Sequence, residues 1–138
     1  MAKSAAASGP ELRIRVDLSP GCSVGPGKIS LLEAIEREGS LSVAARNMGL
    51  SYRRAWNLLA DLNASFADPV VETAVGGMKG GGARVTAFGR SLVKAFRALE
   101  LGASRLAAVR MKRFVSTNQE PAKRRRVSAP LARVRKIR

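Results

Sequence analysis

One stretch of the chain, residues 40–66, constrains the fold more than any other. Ser40 is a typical N-cap for a short helix over residues 41–48, and Gly49 ends that helix. Ser51 is a second N-cap, and the apolar spacing after it predicts a longer helix that runs to about the end of the stretch. Two helices joined by a turn of three or four residues containing Gly form a helix-turn-helix unit. The sequence therefore predicts such a unit near the middle of the chain.

The residue types inside this unit match its packing requirements. Ala45 falls where the two helix backbones approach closely, and Gly49 falls at the turn, where a positive φ is needed. The other positions that hold the helices crossed are all apolar, namely Ala44, Met48, Leu50, Ala55 and Leu58. At about 100° per residue the second helix has one apolar face. This predicted core face consists of Ala55, Leu58, Leu59, Leu62 and Phe66.

The opposite face of the second helix carries Arg53 and Asn57, with Arg54 beside them. A helix that enters the major groove of DNA needs long hydrogen-bond donors on its first turns while its other face is anchored. Arginine donates to guanine edges or to phosphates, and asparagine pairs with adenine. The hydroxyls of Ser51 and Tyr52 are placed to reach the DNA backbone. All five residues are therefore predicted to contact DNA.

The two arginines also have a simpler interpretation, because charged runs on helices are usually solvated faces. Taken alone, Arg53 or Arg54 favours that interpretation. Within a complete helix-turn-helix pattern on a chain of net charge +15, DNA contact is favoured instead. The neighbouring Trp56 is predicted to pack at the edge of the core, which is the commoner role of an aromatic residue beside an apolar stripe.

The residues before the helix-turn-helix predict a strand, a loop and a helix. Residues 11–18 alternate between apolar and charged side chains, the pattern of a strand with one buried face, formed by Leu12, Ile14, Val16 and Leu18. Proline and glycine predict a loop over residues 19–27. A helix is predicted over residues 28–38, ended by Gly39, with its inward side formed by Ile29, Leu32 and Ile35.

The residues after it predict a β-hairpin. Residues 70–75 and 83–86 are strand-like and enclose a glycine-rich loop over 76–82, so together they form the "wing" of a winged helix. Glycines let the loop backbone approach a phosphate, and basic side chains supply charge. A nucleotide-binding P-loop is excluded, because Lys79 is followed by glycines rather than by Ser or Thr. The wing residues predicted to contact DNA are Lys79, Gly80, Gly81 and Arg84.

A long last helix is predicted over about residues 87–112, with Thr86 as its N-cap. Its apolar residues recur at spacings of four, three, four and three, the pattern of a two-helix seam. They are Leu92, Phe96, Leu99, Ala103 and Leu106. So long a stripe is hard to hide against so small a domain, so it is predicted to form a homodimer interface. The alternative is that the helix packs back onto its own domain.

Composition limits the chemistry of the 138-residue chain. Its 25 Lys and Arg against 10 Asp and Glu favour nucleic acid or another acidic partner. It has no His and a single cysteine, Cys22, which excludes a disulfide framework, the common His- and Cys-based zinc sites and catalytic dyads. We therefore predict no enzymatic activity, no catalytic or metal site and no cofactor.

The charge is concentrated at the C-terminus, where residues 113–138 hold nine basic residues and one acidic residue. This composition predicts a disordered basic arm, which either grips phosphates or only solvates the chain. The predicted domains are a flexible leader (1–10), a winged helix-turn-helix domain (11–86), a dimerisation helix (87–112) and this arm. Since no apolar run is as long as a membrane span or a signal peptide, a cytoplasmic, nucleoid-associated location is predicted.

Four segments together resemble the N-terminal DNA-binding domain of the ModE family, molybdate-responsive transcription regulators related to LysR-type winged helices. They are residues 28–35, 38–42, 49–56 and 76–82, in a match that runs from about residue 11 to residue 112. The resemblance implies a homodimer on a palindromic operator, with an interface built from the N-terminal strand and the long helix. Family members usually continue into β-rich oxyanion-binding domains. The 26 residues after Lys112 show no strand pattern, so no bound molybdate is predicted.

The sequence thus predicts an α+β fold, mainly helical with a small β wing, and a dimeric, sequence-specific transcription regulator that binds double-stranded DNA. The alternative is a non-specific nucleoid or architectural protein whose binding depends on the basic arm. An RNA-binding role is weaker, because aromatic residues make up only 4% of the chain and no stacking platform is evident.

Overall fold

A computed structural model describes residues 10–74 and 82–115. The strands in this part of the chain are β1 (Val16–Ser19), β2 (Cys22–Val24), β3 (Val71–Thr73) and β4 (Ala83–Val85). The helices are α1 (Pro26–Glu38), α2 (Leu41–Asn47), α3 (Tyr52–Ser65) and α4 (Ala87–Arg110), and a 3₁₀ turn follows at Lys112–Phe114. The predicted leader and basic arm lie almost wholly outside these residues. The described elements form an α+β winged helix, as predicted.

Helix α1 forms the centre of the core. It begins at Pro26, whose fixed φ suits the first helical position, and it ends at Gly39, which has a φ of +66°. The predicted inward residues are all fully buried, and they are Ile29, Leu32 and Ile35. The helix begins two residues earlier than predicted, because proline is favourable in the first turn although it breaks a helix interior.

Helices α2 and α3 form the predicted helix-turn-helix, and both predicted caps are confirmed. The Ser40 hydroxyl accepts a hydrogen bond from the Val43 N–H at 3.3 Å, and the Ser51 hydroxyl accepts one from the Arg54 N–H at 3.1 Å. Gly49 lies in the turn with a φ of +68°, where a side chain would be strained. The predicted core face of α3 is confirmed, since Ala55, Leu59 and Leu62 are buried while Leu58 and Phe66 pack against the core.

The wing strands are fixed to the helices at both ends. Strands β3 and β4 pair antiparallel with Val71 opposite Val85, which confirms the predicted hairpin. The Ala83 N–H donates to the Gly39 carbonyl at 3.0 Å, so β4 lies beside the end of α1. The Thr86 hydroxyl accepts from the Gly89 N–H at 3.0 Å and caps α4, as predicted. The glycine-rich loop of residues 76–82 lies outside the described residues except for Gly82.

The N-terminal prediction was partly wrong. The strand covers only Val16–Ser19, and it pairs with a second strand, Cys22–Val24, inside the predicted loop. Gly21 at a φ of +79° makes a turn tight enough for two short strands to pair across it. The predicted buried face is only half covered: Ile14 and Val16 pack against the core, whereas Leu12 and Leu18 are exposed.

The first half of α4 packs on its own domain and the second half does not. Phe96 is buried in the core and Leu92 packs against it, which agrees with the alternative interpretation for these two residues. Beyond them Ala103 is half-buried, whereas Leu99 and Leu106 are exposed. A helix of 24 residues is about 36 Å long, longer than the rest of this small domain can cover.

Candidate nucleic-acid interface

The exposed side of α3 carries the side chains predicted to contact DNA. Arg53, Arg54 and Asn57 are exposed on its first two turns, and the first turn holds no acidic residue. Ser51 and Tyr52 are exposed at its N-terminus. The backbone N–H groups and the helix dipole add partial positive charge at the same end. The structure therefore brings all five predicted α3 residues to one exposed, positively charged helix end.

Trp56 differs from its prediction. The sequence placed it at the edge of the core, but 48% of the residue is exposed, and it lies one turn after Tyr52, which is 57% exposed. At about 100° per residue Trp56 is about 100° from Ala55, which lies at the centre of the core face, so Trp56 lies to one side of that face. The exposed side of α3 therefore has an aromatic part as well as a basic one.

Asn63 joins α3 to the wing. Its side-chain oxygen accepts from the Val70 N–H at 2.8 Å and from the Val71 N–H at 3.3 Å, and its amide donates to the Val71 carbonyl at 3.2 Å. Buried backbone groups need such partners, so this amide fixes the start of β3 against α3. This role of Asn63 was not predicted from the sequence. The available signal was a polar residue near the core side of an amphipathic helix, shortly before a strand.

The wing contributes one described residue to the predicted interface. The side chain of Arg84 is largely exposed and lies 3.5 Å from a Glu72 carboxylate oxygen on the paired strand. Such an exposed ion pair is weak, so the guanidinium is free to exchange this partner for a phosphate. Lys79, Gly80 and Gly81 lie outside the described residues, and their contacts with DNA stay predictions.

Arg97 holds α4 against α1, the helix that supports the helix-turn-helix. Its guanidinium donates to Glu33 on α1, to Glu100 one turn further along α4 at 2.6 Å, and to the Ser30 hydroxyl at 3.3 Å. The hydrogen bonds that Arg97 donates to Glu33 and Glu100 raise its pKa above the ordinary arginine value, because they stabilise the charged form. A charged network therefore joins α4 to α1.

The described part of the chain lacks two features, a cluster of metal ligands and a membrane-spanning helix. Residues 10–74 and 82–115 contain no group of three or more His, Cys, Asp or Glu side chains placed to hold a metal ion. Among the helices that the structure describes, none combines the length and the apolar character needed to cross a membrane.

The capped crossed helices, the exposed basic face of α3 and the hairpin beside it define a winged helix-turn-helix domain. Comparison with known proteins extends this assignment. The chain is 51% identical over 77 residues to the molybdenum-pterin-binding protein MopA and 43% identical over 102 residues to MopB, both of Rhodobacter capsulatus. It is 35% identical over 86 residues to the DNA-binding transcriptional dual regulator ModE of Escherichia coli. The chain is thus homologous to ModE-type regulators, which confirms the resemblance.

These matches cover much of this chain but little of each relative. They span 56%, 74% and 62% of the chain, and 29%, 37% and 33% of the respective relatives, so the chain corresponds to about a third of their length. No protein-family model matches the chain. These relatives are named as regulators or as molybdenum-pterin-binding proteins, and a relative from Azotobacter vinelandii is named as a molybdenum transport protein; none of these names is that of an enzyme, in agreement with the predicted class. The prediction that this chain binds no molybdate stays a prediction.

Proposed function

We propose that this protein is a sequence-specific DNA-binding transcription regulator, with α3 in the major groove and the wing on the flanking backbone. The observation that carries the proposal is the exposed pair of Arg53 and Asn57 on a helix whose opposite face packs into the core. Side chains of these two types read guanine and adenine edges. The name of the ModE relative, a DNA-binding transcriptional regulator, supports the same function.

The remaining polar residues fit contacts that position the protein on the duplex. Arg54 lies to the side of the base-reading face, about 100° from Arg53, where it faces a phosphate strand. The hydroxyls of Ser51 and Tyr52 lie at the helix end whose N–H groups favour phosphate. Arg84 extends the basic surface to the wing. Replacing these residues is expected to lower affinity for all sequences alike.

We further propose that the active form is a homodimer, paired through the second half of α4. Leu99 and Leu106 are exposed on one side of this half, with Ala103 between them. Exposed Leu12 and Leu18 near the N-terminus supply a second apolar surface. A two-fold dimer presents two recognition helices to two half-sites, which matches the symmetry of palindromic operators. Such a regulator acts in the cytoplasm at the nucleoid.

The test is selection of bound duplexes from random DNA, followed by affinity measurements at several salt concentrations. We expect the selected operator to bind at least about 10³-fold more tightly than random duplex. Log K is expected to fall by about 0.9 per neutralised phosphate as log salt rises. Removing residues 113–138 is expected to weaken binding but to preserve the sequence preference. Loss of most binding together with equal affinity for all duplexes indicates an architectural protein instead.

A further inference from the structure

The aromatic pair Tyr52 and Trp56 lies on a defined flank of the recognition helix. The two residues are four apart, so their side chains are neighbours on the helix surface. Trp56 and Asn63 are seven residues apart and lie within about 20° of one line along α3. Because Asn63 is hydrogen-bonded to Val70 and Val71, this line faces the wing. The aromatic pair therefore lies on the side of α3 that faces the wing, beside the base-reading face.

The position of the pair is unusual for side chains of this kind. Large apolar groups that stay exposed side by side mark a binding surface more often than isolated ones do. Their neighbours are basic: Arg53 lies about 60° from Trp56 around the helix, and the first turn has no acidic residue. An apolar surface bordered by positive charge at a helix N-terminus is complementary to a partner in which negative charges flank an apolar group.

The major groove of DNA has this chemistry. The C5-methyl group of thymine projects into the groove between two rows of phosphates, and apolar side chains recognise it. We propose that Trp56, supported by Tyr52, packs against a thymine methyl group on the wing side of α3 and is a specificity-determining residue. This inference rests on the proposed function, since it requires α3 to lie in the groove. It adds an apolar readout to the hydrogen-bonding readout by Arg53 and Asn57.

The test replaces each thymine of the selected operator in turn by deoxyuridine, which removes only the methyl group. For the unmodified full-length protein, one position in each half-site is expected to lose about fourfold in affinity, the value of one buried methyl-sized group. The Trp56→Ala variant is expected to bind the operator less tightly and to bind the thymine and deoxyuridine forms equally well. Trp56→Phe keeps an apolar ring and is expected to retain part of the difference.

Asn57→Ala is the matched control, because it removes a neighbouring DNA contact proposed for the same helix but leaves the aromatic pair in place. Its affinity for the operator is expected to fall, but its ratio of thymine to deoxyuridine affinity is expected to stay at the wild-type value. Trp56→Gln, which keeps a long side chain without an aromatic surface, gives the same test should the alanine variant fail to fold. Circular dichroism of each variant separates folding from recognition.

Three outcomes overturn the inference. A preferred operator with no methyl-sensitive position, or with the same sensitivity in Trp56→Ala, shows that the tryptophan does not read thymine, and the proposed function stands. A Trp56→Ala variant with wild-type DNA binding but altered transcription of a reporter assigns the aromatic surface to a protein partner. An unmodified protein that prefers no duplex overturns the proposed function itself, and this inference with it.

Discussion

Arg97 and Glu33 form a two-point ion pair across the interface of α4 and α1. The Nε of Arg97 lies 2.9 Å from Oε1 of Glu33, and its Nη2 lies 2.8 Å from Oε2. This fork geometry fixes direction as well as distance, unlike a single charged contact. The pair therefore sets the angle at which α4 leaves the domain, and with it the placement of the surface proposed to pair two copies.

The pair predicts a pH dependence of stability. The hydrogen bond from Arg97 holds the pKa of Glu33 below its ordinary value of 4.5. The contribution of the ion pair to the free energy of unfolding is therefore complete above that pH, and it disappears as the pH falls through the lowered pKa of the folded state. Glu33→Gln is expected to lose at most about 1 kcal/mol at pH 7 and nothing at the acid end. The free energy of unfolding of the two proteins is measured by urea titration at several pH values between about 2 and 7. Equal losses at every pH contradict the account.

Gly89 is expected to tolerate no larger residue. A Cβ atom at this position collides with the Val70 carbonyl oxygen and lies 2.8 Å from Cγ1 of Val85, so the first turn of α4 packs directly on the wing strands. Gly89→Ala is expected to cost about 1–3 kcal/mol of stability. Gly102→Ala in the same helix meets nothing within 4 Å and is expected to gain up to about 1 kcal/mol. Thermal unfolding of the two variants should show shifts of opposite sign.

Two asparagines of α3 are expected to separate stability from recognition. Asn63→Ala leaves the Val70 and Val71 N–H groups without their side-chain acceptor and is expected to cost about 1–3 kcal/mol. Asn57 is exposed, so the Asn57→Ala variant is expected to unfold like the wild type while losing affinity for the operator. Unfolding curves and binding titrations on both variants provide the measurement. Equal destabilisation by the two changes argues against the assigned roles.

The dimer proposal is tested by two leucines of similar exposure on different sides of α4. Leu106 is 58% exposed and lies on the proposed seam, whereas Leu101 is 54% exposed and lies about 140° away around the helix. Leu106→Asp is expected to shift light-scattering mass from two chains towards one, because it buries a charge in the interface. Leu101→Asp is expected to leave the mass unchanged. Dissociation by both variants, or by neither, places the interface elsewhere.

The sequence predicted the structure best at positions where a single local requirement determines the residue type. Ser40, Gly49 and Ser51 mark helix ends through hydrogen bonds and backbone angles that involve only near neighbours. The burial of Ala55 and Leu62 followed from helical periodicity for the same reason. These local rules were sufficient to predict the helix-turn-helix and the exposed position of Arg53.

Prediction from the sequence failed where long-range packing determines whether a residue is buried and what it contacts. The alternation around Leu18 indicates a buried face, but no described part of the chain covers that residue. Phe96 belongs to its own core although its spacing matched an intermolecular seam, because spacing does not distinguish one apolar partner from another. Trp56 was assigned to the edge of the core for the same reason, although about half of it is exposed. The Asn63 bonds to β3 depend on how α3 meets the wing, which no local pattern contains.

The most direct test of the central claim compares the affinity for the selected operator with that for a shuffled duplex, at one salt concentration, for the wild type and for Arg53→Ala/Asn57→Ala. The account predicts a ratio of about 10³ or more for the wild type. In the double variant this ratio is expected to collapse towards one, while binding to the shuffled duplex falls much less. An unchanged ratio in a folded double variant contradicts the claim that these two side chains read the bases.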